Sequence, residues 1–430
     1  MLLKRGLCAK LKIDDLSSSG LGVGHLEGCA VFVPLAVPGD EVQIKITDLK
    51  KNLAQAILLE IIRPSPQRQP PLCPVFGQCG GCQLQHLSYS FQLASKQKRL
   101  SESLRRLGGL ECPVDPIIGM PNPWRYRNKL SFKVGRKQEV GFYQKQSKTV
   151  VATSDCLLAA SRLTSVAAKA GEHLASCHPQ SIQVRQGSSN SELLLNIQLK
   201  DLPLNPKKIF EDLKKSFPEL TGISLSYAKG SSQNEEILGK NSLMLKLKDI
   251  NFQVSSSSFF QVNTWQAENL YSKALEMAQP ALNDVVFDAF CGVGGFALFF
   301  ARYVRLVYGV ESEPLALADA MANAELNALR NVKFIKCNLE EPDTAFKQLL
   351  RQTTLLVVDP PRRGLSLSFL RALKEASQLT KIVYASCDPA TLSRDLKALS
   401  LAGFGLKKLV PLDMFPQTCH LETLALLKNK

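Results

Sequence analysis

The second half of the sequence alternates short apolar runs with stretches of helical pattern, and this alternation limits the fold more than any other feature. The apolar runs after Phe259 cover residues 285–288, 306–311, 332–336, 355–359 and 381–386. Strands that alternate with helices predict an open parallel sheet with helices on both faces. Two further β-like runs, 406–411 and 422–427, have no clear helix between them and predict a terminal antiparallel pair.

The residues before position 255 follow two other patterns. Residues 1–63 contain short alternating segments between glycine-rich and polar turns, which predicts a small OB-like β barrel. The proline-rich stretch 63–71 has the composition of a linker. Residues 64–254 mix strand and helix patterns, so we predict a central α+β domain there and a Rossmann-like α/β domain over residues 255–430.

Charge and composition restrict the partners. The chain has 53 Lys and Arg against 38 Asp and Glu, a net charge of +15, which favours a polyanionic partner such as nucleic acid. A hydrophobic content of 45% excludes a disordered or fibrous chain. The sequence has no apolar run of about 18 residues and no secretion segment, so we expect no membrane contact and a cytoplasmic location. We assume a monomer.

A glycine-rich loop over residues 291–295 lies between a predicted strand and a predicted helix. Glu311 ends the next strand, where a carboxylate can accept both hydroxyls of a ribose. The loop also fits a dinucleotide pattern, so by itself it allows either NAD or S-adenosylmethionine. We favour S-adenosylmethionine because Asp288, just before the loop, suits a cationic ligand, and because a terminal strand pair is common in methyltransferases with this sheet.

Three more polar residues lie at the ends of predicted strands. Asp359 is followed by two prolines that would hold its carboxylate in place. Cys387 should lie beside the N-terminus of a helix that begins at Pro389, a position that lowers a thiol pKa and favours nucleophilic reaction. Glu422 opens the last apolar strand, where a carboxylate can act as a general base.

Three cysteines, Cys73, Cys79 and Cys82, lie within ten residues. Zinc sites usually show two C-x2-C pairs and this segment has one, so a [4Fe-4S] cluster with a distant fourth cysteine fits better. The spacing leaves three candidates for that fourth ligand: Cys112, Cys156 and Cys177.

These motifs together resemble those of the bacterial RNA uracil-C5 methyltransferases, the 5-methyluridine family, over essentially all 430 residues. The resemblance implies a TRAM domain for the N-terminal barrel and Cys156 as the fourth cluster ligand. It implies Cys387 as the nucleophile, Glu422 as the general base and Phe259 near the target base. The positions that it assigns to S-adenosylmethionine binding are Gln261, Phe290, Gly295, Glu311, Asn338 and Asp359.

Four positions depart from the family pattern. Gly295 stands where Asn is frequent and can contribute only its backbone, and Pro361 replaces a common Ala. Gln417 and Cys419 stand where His and Gly are frequent. None of these departures removes a predicted reacting group.

The implied reaction starts with attack of the Cys387 thiolate on uracil C6, which makes C5 nucleophilic enough to take a methyl group. Glu422 would then remove H5 so that the thiolate leaves. The base must leave its stack to be reached, and the basic, partly aromatic segments 96–99 and 124–129 are expected to bind RNA.

The barrel with a cysteine cluster resembles the members that act on 23S ribosomal RNA. The alternatives are a tRNA uracil-C5 methyltransferase, a methyltransferase of exocyclic amines, a dehydrogenase, and a non-catalytic RNA-binding or ribosome assembly factor.

Overall fold

The computed structural model of the protein describes residues 3–188, 192–229 and 232–429, which include every predicted site residue. The chain divides into two compact units, each built from three segments. Unit 1 comprises Met1–Arg99, Phe142–Val151 and Phe415–His420. Unit 2 comprises Leu100–Gly141, Ala152–Met414 and Leu421–Lys430. The domain boundaries at residues 63 and 254 stay a prediction.

Unit 1 begins with a β sheet that buries alternate side chains. Its strands are Cys8–Lys12 (β1), Asp15–Leu16 (β2), Gly22–Leu26 (β3), Cys29–Val33 (β4), Glu41–Lys50 (β5) and Leu53–Arg63 (β6). They are arranged in the order β1-β5-β6-β4-β3-β2, antiparallel except for β4 and β6. Val31, Val33, Val42 and Ile44 lie in the core of this sheet with no exposed surface. The alternation in the sequence therefore predicted this β module correctly.

The first part of helix α1, Tyr89–Ser103, belongs to unit 1 and is held there by the C-terminal segment of the unit. Gln92, fully buried, donates from Nε2 to Oε1 of Gln417 at 3.0 Å. Lys96 donates to the Phe415 carbonyl at 3.1 Å, and Arg99 donates to the Cys419 carbonyl at 2.6 Å. A π-helical turn, Leu104–Gly108, continues the chain into unit 2.

A mixed sheet precedes the C-terminal region. Its strands are Lys129–Val134 (β7), Val140–Tyr143 (β8), Val150–Ala152 (β9), Pro179–Gln186 (β10), Leu193–Leu199 (β11), Leu220–Lys229 (β12) and Ser232–Gly239 (β13), in the order β13-β12-β11-β10-β7-β8-β9. Helices Ser161–His173 (α2) and Pro206–Ser216 (α3), a 3-10 turn over Ala175–Cys177, and the hairpin of Ser242–Leu247 (β14) with Ile250–Ser255 (β15) complete this region. The predicted mixture of strands and helices is confirmed.

The C-terminal sheet is the predicted Rossmann-like one. Its strands are Val285–Ala289 (β16), Leu306–Glu311 (β17), Val332–Lys336 (β18), Leu355–Val358 (β19), Lys381–Ser386 (β20), Phe404–Leu412 (β21) and Glu422–Asn429 (β22). The helices are Thr264–Ala278 (α4), Gly295–Ala301 (α5), Pro314–Leu326 (α6), Thr344–Arg351 (α7), Leu367–Ala372 (α8) and Pro389–Leu401 (α9), with a 3-10 turn over Leu373–Glu375.

The strand order is β18-β17-β16-β19-β20-β22-β21. The first five strands in this order are parallel, and β22 is antiparallel to both of its neighbours. Strands β16 and β19 are buried along their whole length, which is why they read as continuous apolar runs. The order of connection reverses between β16 and β19, and ligands bind at such a switch point, beyond the carboxyl ends of the strands. None of the described helices is long and apolar enough to cross a membrane.

Candidate active site

Strand register brings the predicted reacting groups to one edge of the C-terminal sheet. Val358 pairs with Ala289 on one side and with Tyr384 on the other, so Asp359 follows directly on a strand flanked by both. Ser386 pairs with Thr423, which sets Cys387 and Glu422 just beyond the same rung of β20 and β22. A nucleophile and two carboxyls that are distant in sequence therefore meet at this edge.

Cys387 is half-buried and precedes α9, whose N-cap Asp388 accepts a hydrogen bond from the Thr391 backbone at 2.8 Å. Burial raises the pKa of the Cys387 thiol to about 11, and Glu422 and Asp359 add to that rise. Arg362 opposes it only weakly. The expectation that the helix N-terminus lowers this pKa is therefore wrong, because burial and two nearby acids outweigh the helix.

The two carboxyls of the site, Asp359 and Glu422, repel each other when both are charged. Burial raises the pKa of Asp359 to about 7, although its residue retains some accessible surface. Burial, and then the charge of Asp359, raise the pKa of Glu422, which is only 4% exposed, well above its usual range. Two acids that repel each other in a poorly hydrated site do not both ionise readily near neutral pH.

Asp288, at the end of β16, supports the start of α5. Its Oδ2 accepts a hydrogen bond from the Ala297 backbone at 2.8 Å, while its Oδ1 is buried and has no partner within the described residues. Burial raises the pKa of this carboxyl well above its usual range. An orphaned buried carboxyl oxygen beside a glycine-rich loop fits a ligand that brings a donor or a positive charge, as S-adenosylmethionine does.

The glycine-rich loop has alternate left-handed residues. Phe290 has φ of 64°, Gly292 of 54° and Gly294 of 92°. A phenylalanine in this conformation is strained, and such strain is found at ligand sites. A Cβ on Gly292 would meet nothing within 4 Å, so this part of the loop has open space for a ligand.

Glu311 already holds the loop in place. Its Oε2 accepts from the Gly292 backbone at 3.1 Å. Its Oε1 accepts from the backbones of Ser312 and Glu313 at 2.7 and 2.9 Å and from the Ser312 hydroxyl at 3.1 Å. The carboxylate that we predicted to bind a ribose is thus fixed in orientation, with most of its remaining acceptor capacity on Oε2.

The other predicted ligand-binding residues lie on separate loops of unit 2. Gln261 is 7% exposed, and its backbone oxygen accepts from Asn128 at 3.0 Å. Phe259 is 65% exposed, and the Lys129 ammonium lies 6.0 Å from its ring centroid. Asn338 follows β18, is exposed, and accepts from the Glu340 backbone at 3.1 Å. No contact among the described residues assigns a role to Asn338.

Sequence analysis missed the group that supports the loop after Asp359. Oδ2 of Asp395, in α9, accepts from the Leu365 backbone at 2.8 Å and from the Tyr384 hydroxyl at 2.6 Å. Arg394 donates to the Arg363 carbonyl at 2.7 Å. The available signal was an acid on the otherwise apolar face of α9, formed by Leu392, Leu396 and Leu399.

The cysteine segment of unit 1 is ordered by backbone contacts. Gly80 donates to the Tyr143 carbonyl at 2.9 Å, and the Gly81 amide donates to Cys79 Sγ at 3.4 Å. Burial and the nearby Cys73 raise the pKa of Cys79, while Gly81 lowers it.

In unit 2, the carbonyl of Cys156 accepts from Arg125, which also pairs with Asp155 at 2.5 Å. Within the described ranges no group of three or more His, Cys, Asp or Glu side chains is arranged to hold a metal ion.

The basic segment 96–99 is only partly open to solvent, since Lys98 is exposed and Lys96 is buried. Lys96 is 2% exposed, Lys98 pairs with Asp15 at 2.7 Å, and Arg99 donates to the Ser18 carbonyl at 3.0 Å. The expectation that this segment binds RNA is wrong for Lys96, whose charge instead satisfies a backbone carbonyl of unit 1.

Comparison with known proteins gives matches at both ends of the chain. Residues 88–430 match the family described as tRNA (Uracil-5-)-methyltransferase, and residues 5–59 match the TRAM domain. An uncharacterized RNA methyltransferase of Bacillus cereus is 36% identical over 96% of this chain and 95% of its own. Another from Listeria innocua is 36% identical over 100% of this chain and 99% of its own.

Among solved structures, the Pyrococcus abyssi tRNA (uracil-54, C5)-methyltransferase in complex with S-adenosyl-L-homocysteine is similar, with a TM-score of 0.75 and 26% identity. The match covers 97% of this chain and 100% of that chain. The cysteine segment 73–82 lies between the two family matches and inside neither of them.

Proposed function

The chain belongs to the tRNA (uracil-5-)-methyltransferase family, and from this membership we propose that it methylates uracil C5 in 23S ribosomal RNA through a covalent bond between Cys387 and the base. It is an S-adenosylmethionine-dependent RNA methyltransferase with a TRAM domain. The observation that carries the covalent mechanism is the pairing of Ser386 with Thr423, which sets a thiol and a carboxyl side by side at the ligand edge of the sheet.

The proposed reaction needs an ionised Cys387. When bound, S-adenosylmethionine supplies an electrophilic methyl group and a positive charge. The pKa values of Cys387, Asp359 and Glu422 all fall when a cation lies beside them, because the cation offsets the repulsion between these groups. The pKa of Asp359 is about 7 without the cation, so lowering it puts more of this carboxyl in the ionised form, which can take the thiol proton.

The bonds then change in order. The Cys387 thiolate bonds to C6, and the electron pair of the C5–C6 double bond moves to C5 and the O4 carbonyl. C5 then takes the methyl group as its bond to the sulfonium sulfur breaks, and S-adenosylhomocysteine is released. The Glu422 carboxylate removes H5, and the electrons of that bond restore the C5–C6 double bond as the sulfur leaves C6. Cys387 ends as a thiolate, and the protonated Glu422 must release the proton taken from C5 to solvent before another cycle.

A trapping experiment tests this proposal. Unmodified 23S ribosomal RNA and unmodified tRNA are incubated with labelled S-adenosylmethionine, and the product nucleosides are identified by mass. In parallel, RNA containing 5-fluorouracil should form a stable adduct with the wild-type chain, since fluorine cannot be removed as H5 is, and none with Cys387→Ala. An adduct with Cys387→Ala, or methylation of an exocyclic amine, would overturn the covalent mechanism.

A tRNA target is the second candidate. It is favoured by the similarity, over 97% of this chain, to a protein named for tRNA uracil-54. The support for ribosomal RNA is the combination of a TRAM domain with the cysteine segment. 5-Methyluridine in tRNA alone would decide for the second candidate and leave the chemistry unchanged. Because both RNAs are cytoplasmic, we propose that the enzyme acts there, as a monomer.

We also propose that Cys73, Cys79, Cys82 and Cys156 bind a [4Fe-4S] cluster. The thiols fit the chemistry of iron–sulfur ligation, and an amide donor such as Gly81 on Cys79 Sγ is of the kind that tunes such clusters. Every cysteine within the described residues is free of a disulfide. The reaction steps above do not involve this cluster.

A further inference from the structure

Tyr271 is a buried side chain of α4 that the sequence motifs do not mark. It is 5% exposed, and its ring packs edge-on against Phe296 at 4.8 Å between centroids, with an interplanar angle of 83°. A second ring, Phe299, lies 5.1 Å away. Because two aromatic neighbours fix the ring, its hydroxyl has one well-defined position.

That position is against the end of the glycine-rich loop. A Cβ added to Gly295 would lie 2.5 Å from the Tyr271 hydroxyl oxygen and 2.7 Å from its Cζ. No real Cβ comes so close, so any side chain at 295 would have to displace the end of the Tyr271 ring. The space that a side chain at 295 would fill is occupied by a phenol from another helix.

The surroundings of the hydroxyl are acidic. The pKa of Tyr271 is raised far above its usual value by burial, and then by Asp359, Asp288 and Glu422. The phenol therefore remains a neutral donor at any pH at which the enzyme works. Within the part of the chain that the structure describes, this hydroxyl makes no hydrogen bond, so it can donate one to a ligand that enters the site.

The charges that act on the hydroxyl place it near the predicted reacting groups. It is affected by Asp288, Asp359 and Glu422, which lie at the ends of β16, β19 and β22. S-adenosylmethionine carries a carboxylate on its amino-acid part, and a carboxylate needs hydrogen-bond donors in a site crowded with acids.

We propose that Tyr271 is a further binding residue for the methyl donor, and that its hydroxyl donates a hydrogen bond to the carboxylate of the amino-acid part. This inference rests on the proposed function, since it takes S-adenosylmethionine as the ligand of the loop. The Tyr271–Gly295 pair then supplies the side-chain contact that glycine at 295 alone cannot make.

Two ligands that differ only in the amino-acid part test the proposal. S-adenosylhomocysteine carries this part and 5′-methylthioadenosine lacks it, and both can be titrated by calorimetry without RNA. Tyr271→Phe removes only the hydroxyl, so we expect it to bind S-adenosylhomocysteine roughly tenfold more weakly and 5′-methylthioadenosine as wild type does. In turnover, the KM for S-adenosylmethionine should rise while kcat stays nearly constant.

A matched control is Tyr308→Phe, which removes a buried hydroxyl that accepts instead from Gln352 at 3.1 Å. It should bind both ligands normally. The proposal is overturned if Tyr271→Phe binds S-adenosylhomocysteine as wild type does, or if it loses affinity for both ligands equally. If the wild-type chain binds S-adenosylhomocysteine but methylates neither RNA, the proposed function fails and the role of Tyr271 in binding stands or falls on the titrations alone.

Discussion

The ionisation of each titratable residue in the site is limited because the site can hold few negative charges. Asp359, Glu422 and Asp288 are all pushed toward their protonated forms, and Cys387 toward its thiol. A free site in this state is a poor nucleophile and a poor base. The positive charge of the methyl donor favours the ionised forms, so reactivity toward uracil should develop only after the donor binds.

Glu422→Gln should stop the reaction after methyl transfer. Since the amide cannot accept H5, the methylated base stays bonded to Cys387, and turnover should fall by about 100-fold or more. A covalent RNA–protein band on denaturing gels, made with ordinary uracil, is the expected result. The double variant with Cys387→Ala is the control and should give no band. Absence of the band in Glu422→Gln would assign H5 removal to another group.

Asp359→Asn should make the ligand-free protein more stable than wild type at pH 8 but not at pH 5. Folding raises the pKa of Asp359 to about 7, so the protonated carboxyl favours the fold, and this contribution is lost as the pH rises from about 4 through 7. The full shift corresponds to about 4 kcal/mol, and access of water to the carboxyl reduces the expected gain to about 1–2 kcal/mol.

Urea unfolding at the two pH values measures this difference. Asp48→Asn, at an exposed position of β5, is the control and should change neither value. If Asp359→Asn and wild type differed in unfolding free energy by the same amount at both pH values, burial would not destabilise the charged carboxyl of Asp359.

Sequence patterns located the reacting residues but not their ionisation. Cys387 follows one apolar run and Glu422 opens another, which local periodicity reveals, and the family resemblance then gave their predicted roles. The pKa of Cys387 depends on acids that strand pairing brings from 28 residues earlier and 35 residues later in the chain. Such proximity is a property of register, which the sequence does not display.

At the level of elements, α9 serves as the support of the loop that carries Asp359. Its first two turns bind the carbonyls of Arg362 and Arg363 and, through Asp395, the backbone of Leu365. The strand–helix alternation predicted α9 and its start at Pro389 correctly. This second function of α9 was not predicted, because a buried acid within a helix does not reveal which distant backbone it contacts.

Asp395→Asn should weaken both the fold and the reaction. The amide keeps one acceptor oxygen and turns its other end into a donor, which then faces the donors of Leu365, Tyr384 or Arg394. A loss of about 2–4 kcal/mol in the free energy of unfolding is expected, together with a lower kcat from a poorly held Asp359. Urea unfolding and steady-state kinetics measure the two effects.

The matched control for Asp395→Asn is Asp343→Asn at the N-cap of α7, where Asp343 Oδ1 accepts a hydrogen bond from the Phe346 backbone at 2.8 Å. Asparagine caps helices as well as aspartate does, so this variant should remain within about 0.5 kcal/mol of wild type. Equal losses in the two variants would show that Asp395 acts only as an ordinary helix residue.

The whole molecule depends on segments that are far apart in sequence. The expected order of a β module, a mixed sheet and a Rossmann-like sheet is correct because each has its own periodicity. Residues 142–151 and 415–420 belong to unit 1. No local sequence pattern predicts this, since both are short loop-rich segments. They are recognisable only by the buried polar groups that they satisfy.

Protein purified without oxygen should be brown and contain about four irons per chain. Cys79→Ser should lower the iron content and the visible absorbance, whereas Cys8→Ser, at an exposed position of β1, should change neither. Iron and sulfide analysis with absorbance spectra measures this. A colourless protein with one zinc, or an iron content unaffected by Cys79→Ser, would contradict the assignment of the cysteines.

The contacts of Gln92, Lys96 and Arg99 with the segment 415–420 have a consequence for synthesis. A ribosome that adds about 5–20 residues per second needs roughly 15–65 s to travel from the end of the first segment of unit 1 to the beginning of the last. During that time a buried lysine and a buried amide have no acceptors from the C-terminal segment, and the nascent N-terminal region must remain soluble without them. Completion of unit 1 therefore waits until residues 415–420 have left the ribosome, and a chain that stops short of Phe415 cannot complete either unit.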